Sequence, residues 1–105
     1  MAKKANKEII KIVKRYIEEV SKDFAIDGAY LFGSYAKGTE NRDSDIDVAI
    51  IMKNIDNRIL TNGKLYNYSW GIDTRIEPHS MKLEEYHGKQ SLLSQEIRKY
   101  GIKII

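Results

Sequence analysis

One short stretch of the chain holds residue types suited to phosphate and metal chemistry. A Gly33-Ser34 turn follows an apolar run, 29–32, and the aspartates Asp45 and Asp47 open a second apolar run, 48–51. Two carboxylates one residue apart on a strand point to the same face of its sheet. Beside a turn that suits phosphate, they predict a site for a hard divalent cation and a nucleoside triphosphate.

This pair of aspartates would serve nucleotidyl transfer, which needs a bound triphosphate, a neutralised α-phosphate and an activated hydroxyl. Two Mg²⁺ ions do the last two jobs together and take oxygen ligands. A third carboxylate is expected on a neighbouring strand, where Asp73 shares a face with Arg75, and Glu77 is the reserve candidate. Gly33 and Ser34 would hold the triphosphate, because glycine lets the backbone come close to a ligand.

Hydrophobic periodicity and turn signals predict the elements that would position this site. The predicted helices are about Asn6–Phe24, Ser34 to about Lys37 with Ser34 as its cap, a stretch within Asn54–Tyr68 with Asp56 as candidate cap, a short turn at Met81–His87, and Ser91–Tyr100. The predicted strands are Ala29–Phe32, Asp45–Met52, Trp70–Glu77 closed by Pro78, and Ile102–Ile105. This order predicts one domain over residues 1–105, of the α/β or α+β class.

The composition narrows the class of protein. Hydrophobic residues make up 42% and charged residues 31%, which is typical of a globular domain. The lack of cysteine excludes disulfides and thiolate metal sites and favours a cytoplasmic location. No run is long enough to span a bilayer, and the N-terminus lacks a secretory apolar region.

The formal net charge of +3 would favour a polyanionic ligand. Much of that charge comes from lysines near the N-terminus, which are interpreted as a solvated helix face. These are Lys3, Lys4, Lys7, Lys11 and Lys14. Nucleic-acid binding through them is the weaker alternative.

The histidines and several aromatic residues are assigned structural roles. His79 and His87 lack metal-ligand spacing with a second strong ligand, so they are interpreted as surface or packing residues. Tyr66, Tyr68 and Trp70 alternate as at the start of a strand, and packing is favoured over stacking on a nucleic-acid base.

Residues 33–38, G-S-Y-A-K-G, followed by 44–47, S-D-I-D, resemble the signature of the polymerase-β-like nucleotidyltransferase superfamily. That signature is roughly G-S-x-A-x-G, a spacer, then S-D-x-D. Residues 72–76, I-D-T-R-I, also resemble the I-D-I-R-L strand that carries the third aspartate in polymerase β. By size the chain is similar to the minimal nucleotidyltransferases, the MNT group. The resemblance covers about residues 29–78 and implies a small mixed sheet flanked by helices, ATP or another NTP as donor, and two Mg²⁺ ions.

Carried over to this sequence, the resemblance implies that Gly33 and Ser34 bind the triphosphate. It implies that Asp45, Asp47 and Asp73 ligate metal, with Asp73 also a candidate to help deprotonate the acceptor hydroxyl. MNT proteins often pair with helical HEPN ribonuclease toxins, and some neutralise the toxin by attaching AMP to a tyrosine. The chain is therefore expected to be an antitoxin that transfers an NMP, with AMP from ATP as the favoured case.

The alternative is an antitoxin or scaffold that only binds a HEPN-like partner and whose site is idle. Alanine at Asp45 and Asp47 would separate the two functions, because only the enzyme needs these carboxylates. Homo-oligomers and mixed complexes are both compatible with the sequence.

Overall fold

A four-stranded mixed sheet organises residues 6–88 and 91–105, which the computed structural model describes. The helices are α1 (Lys7–Ser21), α2 (Ser34–Lys37), α3 (Arg58–Ser69), α4 (Leu83–His87) and α5 (Leu92–Tyr100). The strands are β1 (Gly28–Phe32), β2 (Ile46–Met52), β3 (Ile76–Lys82) and β4 (Ile102–Lys103). Their order is β3-β2-β1-β4; β1 runs antiparallel to β2 and β4, and β2 runs parallel to β3. The predicted sheet flanked by helices is confirmed.

The two faces of the sheet are covered by different helices. Successive residues of a strand point to opposite faces. The even-numbered residues of β2 join a large apolar cluster that includes residues of α1 and α3. Ala49 and Ile51 join a smaller cluster with Ile97 of α5. Asp47, like Ala49 and Ile51, is an odd-numbered residue of β2, so it lies on the α5 face of the sheet.

Helix α1 forms because its apolar residues recur every three or four positions and because Asn6 caps it. The Asn6 side chain accepts a hydrogen bond from the Glu8 amide at 2.8 Å. The face toward the sheet buries Ile9, Val13, Tyr16, Ile17 and Val20. The expected solvated face is confirmed at Lys7, Lys11 and Lys14, whereas Lys3 and Lys4 lie outside the described residues. Within 6–88 and 91–105, the helices are too short or too polar to cross a membrane.

The third strand differs from its prediction. Residues 70–73 form turns after α3, with the Asp73 amide donating to the Ser69 carbonyl at 2.9 Å, and β3 begins only at Ile76. The prediction of a strand over Trp70–Glu77 was therefore wrong. Pro78 lies inside β3 and does not close it. Because β3 is an edge strand in the part of the chain that the structure describes, it tolerates a proline, which has no N–H to donate to a neighbouring strand.

Smaller corrections concern caps and aromatic side chains. The cap of α2 is Gly33 rather than Ser34, and the cap of α3 is Asn57, whose side chain accepts from the Leu60 amide at 3.0 Å. The predicted packing is confirmed for Tyr68, which is partly buried against the core and meets the Phe24 ring edge-on. It was wrong for Tyr66, which lies exposed on α3, and for Trp70, which follows α3 with 75% of its surface exposed. The helix Ser91–Tyr100 and the final strand are confirmed, with Ser91 as a cap.

Candidate active site

The paired aspartates stand where β2 begins. Asp45 is exposed and directly precedes the strand, and Asp47, 24% exposed, is its second residue. The turn before them is closed by its own side chains, since the Asn41 amide donates to the Ser44 hydroxyl and the Asp43 amide donates to Asn41 Oδ1. This turn fixes where the chain enters β2 and therefore where both carboxylates project.

Gly33 lies against the Asp47 carboxylate. Its backbone has φ 75° and ψ −153°, a conformation that residues other than glycine rarely adopt. A Cβ atom there would overlap Asp47 Oδ2 and lie 3.1 Å from Cγ. Helix α2 starts at the next residue, Ser34, and the first amides of a helix lack partners inside it. The fold thus brings the Gly33-Ser34 turn and Asp47 together.

The parallel pairing of β2 with β3 places Glu77 beside Asp47. The two residues are partners in the register and point to the same face. Burial raises the pKa of Glu77, and hydrogen bonding to the Asp45 carboxyl raises it further. The negative charge of Asp47 acts in the same direction, while His79 opposes it. A cation placed among these carboxylates would relieve this repulsion.

His79 completes the cluster, two residues beyond Glu77 on the same face of β3. Its Nε2 atom lies 3.4 Å from Asp47 Oδ1 and 3.8 Å from Glu77 Oε1. One ligand atom from each of Asp47, Glu77 and His79 lies within 4.8 Å of the other two. The interpretation of His79 as a packing or surface residue was therefore incomplete. The spacing E-P-H on a strand was the available signal, but only the register shows that it faces Asp47.

Asp73 stands apart from this group. It precedes β3, and its carboxylate accepts from the Arg75 side chain at 2.7 and 3.1 Å and from the Arg75 amide at 2.9 Å. These hydrogen bonds hold the pKa of Asp73 below its ordinary value. Arg75 also donates to the Tyr35 hydroxyl of α2 at 3.2 Å. Asp73 therefore ties the turn before β3 to Arg75, and Glu77 is the carboxylate that faces Asp47.

The arrangement fits a divalent cation by its donor chemistry. Carboxylate oxygens from two adjacent strands and one imidazole nitrogen converge on one face of the sheet. Because Gly33 has no side chain, the backbone of its turn comes directly against the Asp47 carboxylate, so a ligand bound at the turn would also lie near the carboxylates. A triphosphate bridging these two features could bind through its oxygens to a cation and to backbone amides.

Comparisons with known proteins identify relatives of this chain. Residues 13–104 match the family described as the nucleotidyltransferase domain. The chain is 43% identical over 104 residues to the Methanocaldococcus jannaschii protein named "Putative protein adenylyltransferase MJ0141", covering 92% of this chain and 99% of that protein.

Solved structures share the fold. One is described as a crystal structure of a toxin–antitoxin with AMP-PNP; it has a TM-score of 0.65 and 24% identity over 88% of this chain and 72% of that chain. Another is named a "putative nucleotidyltransferase" from Sulfolobus solfataricus, with a TM-score of 0.64 and 24% identity over 91% of this chain and 78% of that chain. At this identity the likeness concerns the fold, and it confirms the mixed sheet flanked by helices.

Proposed function

The chain belongs to the nucleotidyltransferase domain family, and from that premise we propose that it transfers AMP from ATP to a hydroxyl of a protein partner. The single observation that carries this proposal is the position of the Asp47 carboxylate. It lies between the side-chain-free backbone of Gly33 and the Glu77 carboxylate of the neighbouring strand. This geometry supports a donor site in which phosphate and carboxylates meet.

We assign the site residues separate roles in the transfer. Gly33 and Ser34 hold the phosphates, while Asp45, Asp47 and Glu77 supply oxygen ligands. Divalent ions held by these carboxylates would neutralise charge on the triphosphate and activate the acceptor hydroxyl. The acceptor oxygen forms a bond to the α-phosphorus, the bond from that phosphorus to the leaving pyrophosphate breaks, and the hydroxyl proton passes to the third carboxylate. We assign that carboxylate to Glu77 in place of Asp73, whose oxygens are engaged by Arg75.

AMP is the proposed group because of the relative named as a protein adenylyltransferase. The 43% identity to that protein extends over 99% of its length, so the resemblance includes the whole donor site. The structural likeness to a toxin–antitoxin with AMP-PNP is consistent with an adenine nucleotide but concerns the fold. These relatives support a protein acceptor, and we propose a HEPN-type toxin whose tyrosine hydroxyl receives AMP.

The exposed face of α3 supports a protein acceptor. Ile59, Tyr66 and Trp70 recur at helical spacing and are 87%, 42% and 75% exposed. Burial raises the pKa of Tyr66, and the charges of Glu77, Asp45 and Asp47 raise it further. Exposed apolar side chains in a row are typical of interaction surfaces. We therefore propose that the acceptor packs on α3 while its hydroxyl enters the site.

The test is to co-express the chain with the product of its neighbouring gene and to incubate the complex with ATP labelled at the α- or γ-phosphate. Transfer of AMP predicts that the α-label appears on the partner and the γ-label in pyrophosphate. Label on the partner from γ-labelled ATP would indicate a kinase and contradict the proposal. Asp47→Asn should abolish labelling, and the matched Asp43→Asn, in the preceding turn, should not.

The binding antitoxin makes the opposite prediction in the same experiment. If Asp45→Ala and Asp47→Ala leave toxin neutralisation unchanged, the carboxylates take no part in neutralisation and the chain acts by binding its partner. Loss of both labelling and neutralisation supports the enzyme.

A further inference from the structure

The His79 side chain offers a nitrogen to the carboxylate site. Nε2 has no hydrogen-bond partner and is buried, although the side chain as a whole is 30% exposed. The ring meets the Phe32 ring edge-on, with centroids 5.1 Å apart, and lies two residues beyond Glu77 on β3. Phe32 pairs with Asp47 in the sheet, so its contact with the His79 ring holds that ring beside the Asp47 carboxylate.

The distances are longer than hydrogen bonds and slightly longer than those between ligands of one ion. Nε2 lies 3.4 Å from Asp47 Oδ1 and 3.8 Å from Glu77 Oε1, beyond the usual N–H···O range of about 2.7–3.2 Å. Adjacent ligands of one ion, each at about 2.1 Å from it, are about 3.0–3.4 Å apart. A small closing movement would bring all three atoms onto a shared cation. A buried nitrogen without a partner is also costly unless something binds it.

A nitrogen ligand changes which metals the site prefers. Mg²⁺ favours oxygen ligands and keeps several waters, so an imidazole adds little to its affinity. First-row transition metals accept imidazole and carboxylate together, and their affinities rise from Mn²⁺ through Co²⁺. Resting on the proposed function, we propose that His79 Nε2 is a metal ligand and that the position between Asp47, Glu77 and His79 selects a divalent transition-metal ion over Mg²⁺.

The first measurement uses the full chain without nucleotide and with Mn²⁺ as the probe. Pulsed electron paramagnetic resonance detects a directly bonded ¹⁴N nucleus near Mn²⁺. The wild-type protein should show this nitrogen coupling, and His79→Gln should lose it. His87→Gln is the matched control, because His87 is exposed at the end of α4. Absence of nitrogen coupling in the wild-type protein would overturn the proposal, whether or not any variant folds.

The second measurement compares affinities by calorimetry. Glutamine keeps a carbonyl oxygen near the position of Nε2, so His79→Gln should lower Co²⁺ affinity about tenfold or more and leave Mg²⁺ affinity within about twofold. An equal loss for both metals would assign His79 a structural role and refute the ligand. A Co²⁺ affinity unchanged by His79→Gln would refute it as well.

These outcomes are separate from those of the proposed function. Metal binding is measured without ATP or partner, so selectivity can fail while AMP transfer is observed with Mg²⁺. Conversely, AMP transfer can be absent with every metal while nitrogen coupling and selectivity are present. Only the first pattern counts against the role of His79.

Discussion

Replacing Gly33 with alanine should damage both stability and the site. The backbone at Gly33, φ 75° and ψ −153°, costs a side-chain-bearing residue about 1–3 kcal/mol. The new Cβ would also overlap Asp47 Oδ2 and lie 3.3 Å from Asp47 Cβ, so the carboxylate must rotate away. Because 1 kcal/mol shifts the melting temperature of a domain this size by about 4–8 °C, we expect a fall of about 4–24 °C.

The loss of AMP transfer should exceed what instability explains. At a temperature where Gly33→Ala is still folded, transfer should fall about 100-fold or more, because metal-ligand geometry contributes several kcal/mol and each 1.4 kcal/mol is tenfold in rate. Differential scanning fluorimetry and circular dichroism measure folding, and label transfer measures activity.

Gly63→Ala is the matched control for the substitution itself. Gly63 lies within α3, and a Cβ there would meet nothing within 4 Å. Alanine should stabilise that helix by about 0.5–1 kcal/mol. Because Gly63 lies on the α3 face proposed to bind the acceptor, the transfer rate is compared at saturating partner, where it should be unchanged. If Gly33→Ala melts within 2 °C (about 0.5 kcal/mol or less) of the wild-type protein and transfers AMP at the wild-type rate, the contact between Gly33 and Asp47 has no role.

Further variants separate the roles of individual side chains. Glu77→Gln should abolish transfer whereas Asp73→Asn, which weakens an ion pair worth about 1 kcal/mol or less, should retain it; the reverse result in label transfer would restore Asp73 as the third carboxylate. The raised pKa of Glu77 means that stability is lost as pH rises through that pKa, so without metal Glu77→Gln should melt at a higher temperature than the wild-type protein at pH 7, with the difference vanishing in acid and scanning fluorimetry across pH as the check. Tyr16→Phe removes a buried hydrogen bond of 2.7 Å to the Leu65 carbonyl and should cost about 1 kcal/mol in urea unfolding without changing transfer; a loss of transfer would mean that the α1 face reaches the site. Trp70→Ser should change stability by less than about 0.5 kcal/mol but raise the KM for the partner, and an unchanged KM would remove α3 from the acceptor surface.

Local sequence signals were sufficient for the first half of the site. The apolar runs before Gly33 and after Asp47 identified β1 and β2 within one residue at their ends. Alternation along a strand predicted that Asp45 and Asp47 share a face. Asp45 precedes β2, and its carboxyl is hydrogen-bonded to Glu77, which faces Asp47. These inferences succeed because they depend on residues within a few positions of one another.

The part of the candidate site that lies on β3 depends on which strands pair and in which register, and local sequence patterns do not show this. The turn after α3 takes up Asp73, and β3 starts three residues later, so the predicted face of Asp73, Arg75 and Glu77 was assigned to the wrong segment. Only the register of Asp47 with Glu77 shows that Glu77 and His79 face Asp47. Pro78 misled the prediction because an edge strand tolerates a proline that a central strand does not.

The most direct test of the account is the mass of the co-purified partner. Partner expressed with the wild-type chain should gain the mass of an AMP group at one hydroxyl. Partner expressed with Asp47→Asn should gain none, even when the complex still forms. Equal modification of the partner with Asp47→Asn and with the wild-type chain would contradict the central role of this carboxylate site.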